Sequence, residues 1–188
     1  MKPLTLAAAL AVLASCSAVS SRTDLVISGV VAGTYDPGPP AKCTLVLGTE
    51  SDFLALGPDT TGHVGLVVEN RLLSNITNSK FELPQNDFQP DRAVVSYELI
   101  SPGSSLLPAG SVERPAGGFV KSGSQATVGV ILFDAGQLAA LGLADQAFFR
   151  ASVYLKGTLA GGQSARTSTK EYLFKYCSAA GCAGNVCL

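Results

Sequence analysis

Apolar and polar residues alternate along most of this chain, and period-two alternation predicts strands with one buried face. Residues 25–34 form the first such segment and 43–47 a second, shorter one. Over 63–72, Val64, Leu66, Val68 and Leu72 point one way while Glu69 and Arg71 point the other. Asn70 falls on the apolar side, so that face is expected to end there. Phe81 and Leu83 suggest a short strand. Ala93, Val95, Tyr97 and Leu99 alternate with Val94, Ser96, Glu98 and Ile100. Residues 127–133 are almost wholly apolar, the pattern of a strand covered on both faces. In 147–159, Phe149, Ala151, Val153, Leu155 and Leu159 are expected to face in, with Phe148, Arg150, Ser152, Tyr154, Lys156 and Thr158 facing out. Residues 170–177 read as a last strand, hairpin partner of its predecessor.

The breaks are equally legible. Pro37, Pro39 and Pro40 exclude a central strand. Residues 50–62, 74–79, 84–90 and 160–164 read as loops, and Ser101-Pro102-Gly103 as a stop. Residues 106–123 look irregular, with Val112 in a short edge strand. The period changes over 134–142: Asp134 is placed to cap a short helix, Gln137 to complete the capping box, Leu138 and Leu141 to face inward, and Gly142 to end it. Seven or eight strands with one short helix near 135–142 predict an all-β domain. The favoured architecture is a two-layer antiparallel sandwich, immunoglobulin-like in its Greek-key connections, with a partly closed barrel as rival. The Cys-Trp-Cys spacing of antibody domains is absent, because the chain has no Trp.

Composition supports one sheet-rich domain. Hydrophobic residues make up 47% of the 188, which argues against disorder, and 20 are glycines, which suits many turns. Charged residues are only 14%, against roughly 25% in ordinary soluble domains. Net charge is −1 and no basic stripe is visible, so nucleic acid is a poor partner for this chain.

The amino end differs from everything after it. Lys2 supplies a positive charge, residues 4–13 are apolar except for Thr5, and Ala14-Ser15 are small. That is the layout of a secretory signal. A bilayer-spanning helix needs roughly 20 apolar residues, so the run is too short for a permanent span. Leu13-Ala14-Ser15-Cys16 resembles the bacterial lipobox: leucine, two small residues, then cysteine. The resemblance implies diacylglycerol on the Cys16 sulfur, cleavage just before it and acylation of the new amine, and Ser17 after the cysteine implies the outer membrane. Expected divisions are a signal peptide over 1–15, a lipidated cysteine and flexible leash over 16–24, a β domain over 25–176 and a cysteine-rich tail over 177–188. Each buried lipid CH₂ contributes about 0.8 kcal/mol, so one chain holds weakly and two or three hold firmly.

Cysteine counting agrees. Five cysteines are an odd total, and lipidation of Cys16 leaves Cys43, Cys177, Cys182 and Cys187 as an even set for an oxidising compartment. Four cysteines allow three pairings, and the sequence does not choose among them. A tail-internal bridge with one bridge from Cys43 is the favoured arrangement. The same four sulfurs could form a zinc shell, but only Cys43 lies outside the tail, whereas zinc sites usually draw ligands from paired knuckles, and the compartment oxidises thiols.

Candidate chemistry is sparse. His63 is the single histidine, so any Ser–His or Cys–His pair would have to use it; it reads as a turn residue beside Gly62. Gln85-Asn86-Asp87-Phe88-Gln89-Pro90-Asp91 gathers oxygens that a calcium ion could use, without EF-hand spacing; ordinary turn chemistry explains the same residues. Glu50, Asp52 and Asp59 share a loop as a generic carboxylate group, and Asn75-Ile76-Thr77 matches a glycosylation sequon with no ready meaning in a bacterium. Tyr154, Lys156 and Arg150 share the outward side of one strand, either a ligand-contacting stripe or a solvated face. No cofactor or metal is expected. The expectation is a non-enzymatic envelope lipoprotein, membrane-held through Cys16, with a structural or interaction role toward another envelope protein. The alternative is a glycan or small-ligand binding module, and an envelope hydrolase using loop carboxylates ranks below both.

Overall fold

Alternation in the sequence becomes strand in the structure almost everywhere it occurs. A computed structural model describes residues 24–36, 42–48, 53–56, 62–73, 86–100, 110–133 and 137–177. The elements are β1 (Leu25–Asp36), β2 (Lys42–Gly48), β3 (Phe53–Leu56), β4 (Gly62–Asn70), β5 (Phe88–Leu99), β6 (Ser111–Gly117), β7 (Ser124–Phe133), α1 (Gln137–Ala140), β8 (Phe148–Leu159), β9 (Ser164–Arg166) and β10 (Lys170–Tyr176). The protein is all-β with almost no helix, and its sheet is antiparallel except where short β3 runs parallel to β10. Among the described residues eight strands have seven residues or more, within the expected seven or eight; β3 and β9 are short additions. The readings on 1–23, on 74–85, including Phe81, Leu83 and Asn75, on Glu50, Asp52 and Asp59, on Asp134 and on 178–188 fall outside the described residues.

Burial follows the alternation. In β8, Phe149, Ala151, Val153, Leu155 and Leu159 are buried, while Phe148, Arg150, Ser152, Tyr154 and Lys156 are partly exposed. In β4, Val64, Leu66 and Val68 are buried, and Leu72 follows just beyond the strand. Phe149 and Phe174 stack at 5.3 Å, and Phe133 meets both edge-on at 5.4 and 6.1 Å. Fully burying each such side chain stabilises by about 1.5–3 kcal/mol, and edge and offset contacts add to that.

The strands form one ladder in the order β2-β1-β4-β7-β6-β5-β8-β10-β3, with β9 on β8. β6 is the joint. Ser111 to Pro115 pair with β5, and Ala116 and Gly117 pair with β7. Pro115, which has no N–H, stands at this handover, where a missing ladder donor costs least. The ladder curls at the joint into a half-barrel, so β1, β4 and β7 share one core with β5, β8 and β10. The two layers expected from the sequence are therefore two halves of one continuous sheet. Tyr97 ties the halves together: its hydroxyl donates to the Leu132 carbonyl at 2.8 Å. Leu132 is the residue skipped where β7 bulges against β4.

The open side is stitched by two residues after β9. Thr167 Oγ1 accepts the Leu155 N–H at 2.9 Å, and the Thr167 N–H donates to the Leu155 carbonyl at 3.0 Å. Ser168 then reaches β1: its N–H donates to the Leu25 carbonyl at 2.8 Å, and its Oγ accepts the Ile27 N–H at 3.1 Å.

Three local expectations need correction. The loop assigned to 50–62 contains β3, whose four residues gain structure only by joining β10. The loop assigned to 84–90 ends early, because β5 starts at Phe88 and accommodates Pro90 at a bulge that leaves Asp91 unpaired opposite β8. Val112 pairs with Val95 alone, one-sided as expected of an edge strand, although β6 beyond Pro115 turns to pair with β7. Residues 127–133 are covered on one face only along most of their length: Gly129 and Ile131 are exposed, while Val128, Val130 and Leu132 are buried. The helix is a single turn, followed by Gly142 at φ 62°, the left-handed conformation that ends it without strain.

Candidate functional site

Two regions collect polar chemistry. One is the outer face of β5, β6 and β8, the other the pole where the chain enters the body.

On the outer face, cross-strand neighbours bring together charges that are far apart in sequence. Glu113 of β6 sits between Arg92 of β5 and Lys156 of β8, at 2.7 and 2.9 Å. Arg150 lies between Glu98 and Glu171, at 3.5 and 3.6 Å. The Arg166 guanidinium lies 5.6 Å from the centre of the Tyr154 ring. Hydrogen bonding from Lys156, joined by Arg92, holds the Glu113 carboxyl below its ordinary range, and the same carboxylate raises both cations. These side chains remain 40–69% exposed, so water screens each pair and its contribution to stability is small. The arrangement suits docking of a surface with complementary charge. Of the sequence candidates, Tyr154, Lys156 and Arg150 do share this face; Arg92, Glu98, Glu113, Arg166 and Glu171 join them through registers that no single segment reveals.

The entry pole is built around Asn70, which is fully buried. Its Nδ2 donates to the Asn86 and Val120 carbonyls at 2.8 and 3.1 Å, and its Oδ1 accepts the Leu72 N–H at 3.1 Å. The Asp87 carboxylate, also buried, accepts the Ser122 N–H at 2.8 Å. Asn86 Nδ2 donates to the Leu73 carbonyl at 2.6 Å. The oxygen-rich segment that suggested calcium is thus used, at Asn86 and Asp87, to satisfy backbone groups, while Phe88 lies in the core. Beside this knot an open groove of about 290 Å³ is lined by Glu69, Asn70, Arg71, Gly123, Ser124 and Gln125. Glu69 and Arg71 pair across it at 2.8 Å, and that bond holds the Glu69 carboxyl low.

The remaining candidates disperse. His63 lies within β4 opposite Ile131, not in a turn. Cys177 follows β10 at the opposite pole, fully buried and disulfide-bonded. Cys43 falls in β2; its side chain, and Cys16, Cys182 and Cys187, lie outside the description. Among the described residues no cluster of three or more His, Cys, Asp or Glu could hold a metal ion, and no helix is long and apolar enough to cross a membrane. No protein-family model matches the chain, and comparison with curated proteins and with solved structures gave no match.

Proposed function

We propose that this protein is a lipid-anchored, non-enzymatic component of a bacterial outer membrane that presents a β body to another envelope component. The observation that carries the reading is Leu13-Ala14-Ser15-Cys16 after a short apolar run. Two features of the body support it. Its interior is one aromatic-rich cluster drawn from both halves of the sheet, and its outer face is a mosaic of alternating charges suited to a protein surface.

The body is, on this reading, an immunoglobulin-like Greek key. Support comes from the pairing of β1 with β4, β4 with β7 and β7 with β6 on one side, and of β5 with β8 and β8 with β10 on the other. A seven-stranded Greek key would pair its strands in that order, with β6 changing partners between its two halves.

Mass spectrometry of the protein from its host membranes tests the anchor: Cys16 should carry diacylglycerol on a newly formed amino terminus. Mild crosslinking followed by detergent solubilisation tests the interaction. A discrete complex, weakened by Arg92→Glu with Lys156→Glu, is expected; recovery only as a lone monomer would remove the interaction role.

A further inference from the structure

We infer that the entry pole is itself a membrane-contacting surface, with Leu73 and Phe119 inserted in the lipid interface beside the anchor. The inference rests on the lipoprotein reading above and adds to it a fixed orientation of the body.

The chain reaches the body at this pole. The Asp24 carbonyl accepts the Arg71 N–H at 2.7 Å, and Leu25 pairs with Asn70. From Cys16 to Asp24 the chain spans at most about 28 Å when fully extended, at ~3.5 Å per residue. The pole therefore stays within about one bilayer thickness of the lipid surface.

Leu73 is 82% exposed and Phe119 50%, the two most exposed large apolar side chains among the described residues. Scattered apolar side chains are ordinary on a surface. These two are set apart by their common position and by how they are held. Leu73 follows Leu72, whose N–H binds Asn70, and the Leu73 carbonyl is gripped by Asn86. Phe119 precedes Val120, whose N–H and carbonyl both pair with Phe88 at 2.9 Å and whose carbonyl also accepts from Asn70. A buried amide thus fixes the backbone on both sides of the pole and leaves the two side chains outward.

The surroundings fit a phospholipid. The groove between Glu69, Arg71, Ser124 and Gln125 carries a paired cation and anion, complementary to the ammonium and phosphate of a zwitterionic headgroup. Lys121 is exposed close by, with a stem that can lie along apolar surface while its ammonium reaches phosphates. The opposite pole bears α1 and the disulfide-bonded Cys177, so it would face away from the membrane.

The chain has no Trp, which makes a direct test available. Phe119→Trp and, separately, Leu73→Trp are placed in the full lipidated chain and reconstituted in vesicles of phosphatidylethanolamine and phosphatidylglycerol with brominated acyl chains. Ile100→Trp, exposed at the opposite pole, is the control. The two entry-pole variants should shift to shorter emission wavelength and lose intensity to bromine, while the control keeps both. Trp emission at 119 and 73 as insensitive to bromine as at 100, in protein whose Cys16 carries lipid by mass, would overturn this inference and leave the anchor standing. Quenching at 119 and 73 in protein whose Cys16 proves unmodified would support the contact and overturn the anchor. Neither quenching nor lipid would sink both.

Discussion

Gly157 offers the sharpest test of the packing between the two longest paired strands. It lies opposite Pro90, where β5 bulges, and a Cβ built there would collide with the Gln89 carbonyl oxygen and stand 2.7 Å from the Pro90 Cα. Carbon atoms pack at about 3.5–4.0 Å, so Gly157→Ala demands that β5 and β8 part by roughly 1 Å. The obstacles are backbone atoms, and no rotamer change can relieve them. Overpacking of this kind costs about 1–3 kcal/mol, and weakening one or two ladder hydrogen bonds near Gln89–Thr158 and Phe88–Leu159 adds about 1 kcal/mol each. The sum is about 2–5 kcal/mol, or a fall in thermal midpoint of about 4–20 °C for a domain of this size. Gly129→Ala is the matched control: it is also a mid-strand glycine, but nothing lies within 4 Å of an added Cβ. Its midpoint should stay within about 2–4 °C of the parent, the shift expected for about 1 kcal/mol. Thermal unfolding of the oxidised protein by circular dichroism reads both. Equal midpoints for the two variants would show that the close approach of Gly157 to the bulge is not a packing constraint.

Asn70→Ala should cost about 2–3 kcal/mol by urea unfolding, because the Leu72 N–H and Asn86 carbonyl lose their buried partner. Unchanged stability would mean that the knot at the entry pole contributes nothing. Tyr97→Phe should cost about 1–2 kcal/mol, since the bulged Leu132 carbonyl loses the hydroxyl that satisfies it; the midpoint in urea measures it. Cys177→Ala removes a disulfide at a fully buried position and should destabilise by about 2–5 kcal/mol, read in the same assay. Glu113 has a lowered pKa in the fold, so its pairing with Lys156 and Arg92 contributes above the ordinary value of 4.5 and is lost as pH falls through the lower folded value. Glu113→Gln should therefore flatten the acid side of the stability profile below about pH 4.5, with no change near neutrality in the slope; an unaltered acid limb would contradict the pairing.

The strand inventory was legible because a strand's side chains alternate by covalent geometry. Phe149, Ala151, Val153, Leu155 and Leu159 needed no knowledge of their neighbours to be placed inward, nor did Val64, Leu66 and Val68. Asn70 marked the end of its face correctly, yet its role as a buried amide serving two loops depended on where Asn86 and Val120 arrived. β3 was missed, and β6 was legible only as a short edge strand at Val112, for one reason: their sequences are weak or Pro-interrupted, and each takes its extent from partners elsewhere in the chain.

The amino-acid order alone determined the all-β class, the inward residues of the long strands and the candidate anchor at Cys16, because each is written in neighbouring residues. Tertiary structure alone decided that the sheet is one curled ladder jointed at β6, that Glu113 meets both Arg92 and Lys156, and that Leu73 and Phe119 share a pole with Asp24. Register and curl arise from pairing between distant segments, and a local pattern carries no record of which distant segment it will meet.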